Sequence, residues 1–401
     1  MSTSAPSHLL PVFARVDLGF TRGEGCYLVS TSGERYLDFT SGVAVNALGH
    51  AHPHLVKALQ EQATKLWHMS NLFKSPDGEI LAARLCEQSF ADFVFFCNSG
   101  AEAMEGVIKL VRHYHFSRGH GERYRIITFE GAFHGRTLAT LAATGSAKYL
   151  EGFGPPMDGF DQVPHGDLEA VKKAIGPNTA GILIEPVQGE GGVRGAPVSF
   201  FKALRQLCDE HGLLLAFDEV QTGMGRTGDL FAYRRLGVTP DVMSLAKALG
   251  GGFPIGAVLA SAEAARGMAP GSHGSTFGGN PLAVAAANAV LDVMLKPGFF
   301  DHVQKMSLLL KQKLASVVDR YPSVLSEVRG EGLLVGVKAV VPSGDLVTAL
   351  REQKLLTVGA GENVVRFLAP LIVTETEIEQ SVQALESACA ALSASHLKAA
   401  G

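Results

Sequence analysis

The chain has 401 residues, 46% hydrophobic and 18% charged, with 46 glycines and a net charge of -4. That balance reads as a compact globular α/β enzyme of one or two domains and excludes a disordered chain. No run of basic residues marks a nucleic-acid or membrane surface, and no stretch reaches the length of a membrane span.

The N-terminus, MSTSAPSHLLPVFAR, lacks the basic segment and apolar core of a secretory leader. Five dispersed cysteines (Cys26, Cys86, Cys97, Cys208 and Cys389) without CxxC spacing point to reduced thiols and a cytoplasmic location.

Residues 1–50 read as a small β-rich lead-in, with strands at 27–29 and 36–39 around a turn at Ser32 and Gly33. The apolar, glycine-punctuated stretch 42–49 suits a loop or short helix. His50, His52 and His54 have metal-like spacing, but Pro53 interrupts them and no carboxylate or cysteine stands nearby, so no metal is expected. Pro53 instead opens a helix with Leu55, Leu59, Ala63 and Leu66 on one face.

From about residue 75 to 260, helix and strand alternate at a spacing that predicts a parallel sheet with crossover helices. The predicted strands are 93–97, 125–129, 181–185, 213–217, 241–245 and 255–260. Polar or small residues follow most of them, and strand exits gathered on one edge of such a sheet assemble a site. At the first exit, Ser99 and the glycine amide of Gly100 stand at the N-terminus of a helix at 101–116. They suit a bound phosphate, and equally a plain Ser cap completed by Glu102. At the second, Phe133 is placed to stack on a planar ring and Arg136 to clamp a carboxylate; core and rim roles are the alternative.

The stretch 213–254 carries the sharpest chemistry. The apolar run 213–217 ends in Asp218 and Glu219, and a second apolar segment delivers Lys247 into the turn Gly250, Gly251, Gly252. Burial lowers an amine's pKa and makes it a nucleophile or base near neutral pH. An amine near a strand-end aspartate suits a Schiff base with the aldehyde of pyridoxal 5'-phosphate (PLP), the aspartate keeping the ring nitrogen protonated. The competing account is a lysine stem running along the sheet, with Asp218 capping a helix. The string 223–228 matches GxGxxG, but residues 218–221 separate it from its strand and Arg226 puts charge where close packing is wanted. It is not read as a dinucleotide site.

A loop at 273–281 then enters an apolar helix, 281–295, followed by another at 299–321. The rest is α+β: a strand at 332–337, a helix near 345–353, a strand at 364–368 and a last helix from Glu375. Arg366 lies inside that last strand, either as an edge-strand surface charge or as a carboxylate receptor. The predicted division is 1–60 as the N-terminal part of a small domain, 61–285 as the large cofactor-binding domain and 286–401 as the C-terminal part of the small domain.

Six motifs taken together resemble one family, the class III PLP-dependent aminotransferases of fold type I. They are NSGAEA (98–103), GAFHGRT (131–137), EPVQGEGG (185–192), DEVQTGMGRTG (218–228), SLAKALGGGFPIGA (244–257) and HGSTFGGNPL (273–282). The resemblance covers about residues 23–392. It implies an α/β fold with a large, mainly parallel sheet domain and a small α+β domain made from both chain ends. It also implies that Lys247 binds PLP covalently and carries the proton, Asp218 pairs with the ring nitrogen and Gln221 reaches the ring hydroxyl. Phe133 would stack on the ring, while Ser99, Gly100 and Ala101 hold the phosphate with Thr276 of a neighbouring subunit, in a homodimer with shared sites.

SGVAVNALGHAHP, HMSNLF (68–73) and VRFLAPL (365–371) resemble the acetylornithine branch. The expected reaction passes the distal amine of N2-acetylornithine to 2-oxoglutarate. Alternatives are 4-aminobutyrate, succinyldiaminopimelate or ornithine as donor, a silent PLP-binding sensor, or a mutase of the same fold. Ornithine-specific members typically carry a tyrosine near Val43, where this chain is apolar. Arg136 and Arg366 are the expected carboxylate clamps, Ser275 is expected among the substrate-binding residues, and the resemblance implies that Glu190 would neutralise Arg366 when the distal amine reacts. Met104 and Gly106 depart from the family's common Asn and Ala.

Overall fold

A computed structural model of the chain describes residues 8–400, with side chains through residue 394. The outermost parts of the expected terminal segments, 1–7 and 401, lie outside the described residues. The chain opens with β1 (Phe20–Glu24), β2 (Tyr27–Ser30) and β3 (Arg35–Asp38). There follow β4 (Phe93–Cys97), β5 (Arg125–Phe129), β6 (Phe160–Val163) and β7 (Thr179–Ile184). A two-residue pair, β8 (Val187–Gln188) and β9 (Arg194–Gly195), precedes β10 (Leu214–Asp218), β11 (Val242–Leu245) and β12 (Gly256–Ala260). The last five are β13 (Leu325–Glu331), β14 (Leu334–Ala339), β15 (Leu355–Leu356), β16 (Val358–Ala360) and β17 (Val364–Phe367).

The large sheet has seven strands in the order β4-β12-β11-β10-β7-β5-β6. Its strands run parallel except β12, which is antiparallel to both β11 and β4. The reversal follows from connection length. Lys247–Gly250 forms a single 3-10 turn after β11, too short for the crossover that a parallel neighbour needs. Every residue of β7, β10, β11 and β12 is buried, as strands covered on both faces must be, which is why they read as continuous apolar runs.

Two further four-stranded sheets follow the orders β1-β2-β3-β15 and β13-β14-β17-β16. In the first, β15 pairs parallel with β3, so segments from both chain ends share one sheet. In the second, β17 lies between β14 and β16, which makes it internal. The surface-charge reading of Arg366 is thereby overturned: the residue is 1% exposed.

Sequence also misjudged one helix face. The helix Pro53–Ala63 buries Leu55, but Ala63 and Leu66 are exposed and Gln62 is buried, its amide donating to the Leu66 carbonyl at 2.7 Å. The histidines beside it do have carboxylates, brought from elsewhere in the chain: His50 Nε2 lies 2.8 Å from Asp38 and His54 Nε2 2.9 Å from Asp292. Each carboxylate serves one histidine. The helix Pro281–Met294 is apolar nearly all round because it is core, packed between Pro53–Ala63 and Pro76–Glu87.

Candidate active site

The C-terminal ends of β4, β5, β7, β10 and β11 meet around a cavity of about 400 Å³. Asp218, Gln221, Lys247, Phe133, Glu185 and Glu190 all line it, as do Ser99, Gly100 and Ala101. Asp218 ends β10 and points inward. Its Oδ1 accepts from Ser244 Oγ at 3.1 Å and from the Val220 amide at 3.0 Å, and its Oδ2 lies 2.8 Å from His134 Nδ1. A carboxylate oxygen only accepts, so the proton of that last bond sits on Nδ1. Three donors fix the carboxylate in place.

Glu219, the other acid at the same exit, turns away. It caps the short helix Ala232–Leu236, accepting from the amides of Ala232 at 2.6 Å and Tyr233 at 2.8 Å. The helix-capping role weighed for Asp218 therefore belongs to its neighbour.

Lys247 starts the turn after β11 with φ of +43°, a left-handed conformation that costs a non-glycine residue roughly 1–3 kcal/mol. The strain turns the side chain from the sheet into the cavity, where it has no hydrogen-bond or ion-pair partner among the described residues. Burial lowers its amine to about 8, partly opposed by Glu190, while the Arg366 guanidinium pushes the same way as burial. An amine lowered this far carries a far larger neutral, nucleophilic fraction near neutral pH than an ordinary lysine.

Opposite, the helix Gly100–Phe116 aims its N-terminus at the cavity. Ser99 does cap it, accepting from the Glu102 amide at 3.2 Å, while the Glu102 carboxylate reaches back to the Asn98 amide at 2.5 Å. That leaves the amides of Gly100 and Ala101 without partners among the described residues, so the cap does not use up the helix N-terminus and an anion could still be held there. Free amides at a helix end, a depressed amine and a fixed carboxylate beside an aromatic wall fit a phosphorylated pyridine aldehyde such as PLP.

Arg366 lies behind the wall. Its guanidinium makes a two-pronged pair with Glu190, Nη1 to Oε1 at 2.5 Å and Nη2 to Oε2 at 2.9 Å, and donates to Gln221 Oε1 at 3.3 Å. A Cβ on Gly189 would meet the end of the Gln221 side chain, so a larger residue there would have to push Gln221 aside. Arg136 is exposed on the outer rim, its guanidinium 3.7 Å from the Tyr149 ring centroid and 5.3 Å from that of Phe133, with no acid paired to it among the described residues.

Besides Arg366, three expected residues lie apart from this cavity. Val43 packs in a small apolar cluster with Val187 and Leu334, and the wall position in its loop is taken by Val45. Ser275 and Thr276 line a separate groove with Glu102 and Lys109, where Asn98 Nδ2 donates to Ser275 Oγ at 3.2 Å.

Two functional residues were not singled out from sequence. Glu185 follows β7, and the register of Ile184 with Phe217 sets it level with Asp218 on the adjacent strand. It accepts from the Phe133 amide at 3.0 Å, and burial with Asp218 alongside holds its carboxyl well above the usual range. The signal was present, since LIEP ends a strand in an acid just as AFDE does. His134 stood in a noted motif, but only the fold brings it to Asp218. The GxGxxG string forms a turn in which Arg226, fully buried, donates to the carbonyls of Leu333 at 3.1 Å and Ala369 at 2.5 Å.

The sequence matches the aminotransferase class-III family over residues 13–389. It is 85% identical over 400 residues to acetylornithine aminotransferase 1 of Bradyrhizobium diazoefficiens, covering 100% of this chain and 99% of that protein. Among solved structures it is similar to the N-acetylornithine aminotransferase of Stenotrophomonas maltophilia, with TM-score 0.84, 39% identity and 95% and 98% of the two chains covered. The ornithine aminotransferase of Toxoplasma gondii superposes with TM-score 0.93 at 30% identity, covering 97% and 94%.

Proposed function

The chain belongs to the class-III aminotransferases, and from that premise we propose that it passes the terminal amine of N2-acetyl-L-ornithine to 2-oxoglutarate. The products are N-acetyl-L-glutamate 5-semialdehyde and L-glutamate, a step of arginine biosynthesis. The enzyme is PLP-dependent and has the type I fold. The observation that carries the reaction is Lys247, a depressed amine without a partner among the described residues, in one cavity with the fixed carboxylate of Asp218.

PLP, when bound, supplies an electron sink for the carbon that loses its proton. Lys247 Nζ holds the cofactor between turnovers, then takes the proton from the substrate's amine-bearing carbon and returns it to complete the transfer. Asp218 offers its carboxylate to the ring N–H, with His134, Ser244 and the Val220 amide holding it in place. Gln221 serves the ring hydroxyl and Phe133 covers a face of the ring. Gly100 and Ala101 donate to the phosphate beside Ser99.

Arg366 and Arg136 divide the carboxylates. With acetylornithine, Glu190 stays on Arg366 and cancels its charge, and Arg136 takes the carboxylate at the rim. With glutamate, Glu190 swings aside and frees Arg366. The apolar wall at Val45 supports an acylated amine over the charged α-amine of ornithine, because an unpaired charge is costly there.

The working unit is a homodimer in which Ser275 and Thr276 complete the partner's site. Supporting this, both lie outside their own chain's cavity, and Trp67, Leu72, Phe73 and Phe277 are more than half exposed nearby. The domain division is 1–60 with 286–401 around 61–285, supported by the pairing of β15 with β3. No single described helix is long and apolar enough to cross a membrane, and all five cysteines are free. We place the enzyme in the cytoplasm.

The test is an absorbance scan of the holoenzyme with N-acetylornithine and no keto acid. The band of the lysine-bound cofactor should bleach and return on adding 2-oxoglutarate. If 4-aminobutyrate, succinyldiaminopimelate or ornithine bleaches it and acetylornithine does not, the donor is wrong. If no band forms when PLP is supplied, the role of Lys247 fails.

A further inference from the structure

Glu362 stands on the turn between β16 and β17, outside the cavity, and the chemistry above makes no use of it. Its carboxylate accepts from Arg194 Nη1 at 2.9 Å and from Arg329 Nη1 at 2.8 Å. Arg194 belongs to β9, and the turn joining β8 to β9 carries Glu190. The same arginine donates through Nη2 to Gln188 Oε1 at 2.7 Å and to the Glu130 carbonyl at 2.9 Å, so it ties both strands of that hairpin to the exit of β5.

The two turns also touch directly. The Gly361 amide donates to the Glu190 carbonyl at 2.8 Å, and a Cβ on Gly192 would come within 2.8 Å of the Gly361 carbonyl. On the other side, β17 carries Arg366, whose Nη2 donates to the Gly359 carbonyl at 3.1 Å. The main chain of Glu190 and the strand of Arg366 therefore meet through residues 359–363, and the ion cluster at Glu362 fastens that junction.

We propose that Glu362 is a positioning residue: it clamps the 361–363 turn against the Glu190 main chain, so that the two substrates are sorted by rotation of the Glu190 side chain alone. The inference rests on Glu190 acting as the switch. A two-pronged guanidinium–carboxylate pair needs both oxygens placed at once, which a drifting loop does not provide. With the main chain pinned, only the side-chain torsions of Glu190 remain to be set. Partly exposed ion pairs contribute little to overall stability, so loss of the clamp should appear in the site rather than in folding.

The experiment follows cofactor absorbance in rapid mixing, measuring each half-reaction of the holoenzyme separately, acetylornithine in one and glutamate in the other. The variants are E362A, E362Q, E190Q and E190Q/E362A. E362A should raise the apparent KM for acetylornithine about fivefold at nearly unchanged limiting rate, within the couplings found inside one network, and move the glutamate half-reaction by less than about twofold. E362Q, which keeps one acceptor, should fall between. In the E190Q background, E362A should add nothing. An equal change in both half-reactions on E362A, or an additive effect in that background, overturns the clamp. If E190Q itself changes both half-reactions equally, the switch is wrong and the clamp falls with it.

Discussion

An amine whose pKa is about 8 is partly charged at neutral pH, and Lys247 is that amine. Capture of PLP by the apoprotein should therefore speed up as pH rises and level off above about 8. A rate independent of pH between 6.5 and 9.5 would sink the assignment. Folding leaves Lys247 with fewer protons than the unfolded chain between about 8 and its ordinary 10.5, so its contribution to stability rises with pH over that window. Glu219 behaves oppositely. Burial raises it from 4.5 to about 8 against two amide donors, so its contribution is full at low pH and is lost as pH climbs through that range. Urea midpoints at pH 5 and pH 8 should fall less for E219Q than for the parent protein. Asp218 makes a third case: D218N keeps the shape but loses the charge, and turnover should drop by roughly 10²–10⁴-fold with PLP still bound. An activity within tenfold of the parent would dismiss its role at the ring nitrogen.

Elements differ in how openly the sequence declares them. LLLAF and VMSL were legible because a strand covered on both faces needs no polar residue, and their exits held the site. β6, with the sequence FDQV, was not legible: it is an edge strand, three of its residues are partly exposed, and its short polar run looks like a loop. β13, LSEVRGE, was lost for the same reason. Arg366 was ambiguous because a strand's neighbours, not its own residues, decide whether it is an edge. Ser99 supported two readings, of which its hydrogen bonds display the cap. S99A should cost about 1 kcal/mol as a lost cap. It should also weaken PLP binding, measured by equilibrium titration of the apoprotein. Loss of stability with unchanged PLP affinity would reduce Ser99 to its capping role.

For the whole molecule, the exposed residues Leu72 and Phe73, 89% and 70% accessible, are those a homodimer would cover. L72D/F73D should appear as a monomer by light scattering and bind PLP more weakly, since Thr276 of the partner subunit is then missing; an unchanged dimer would place the interface elsewhere. A different consequence comes from the sheet that joins β3 to β15. Lys354 and Glu34, bonded at 2.6 Å across it, stand 320 positions apart. At synthesis rates of about 5–20 residues per second, the first hairpin waits on the order of tens of seconds after leaving the ribosome before its edge is covered. During that interval the emerging chain presents an open strand to anything nearby, and the nascent enzyme is most exposed to aggregation while its catalytic half is already being made.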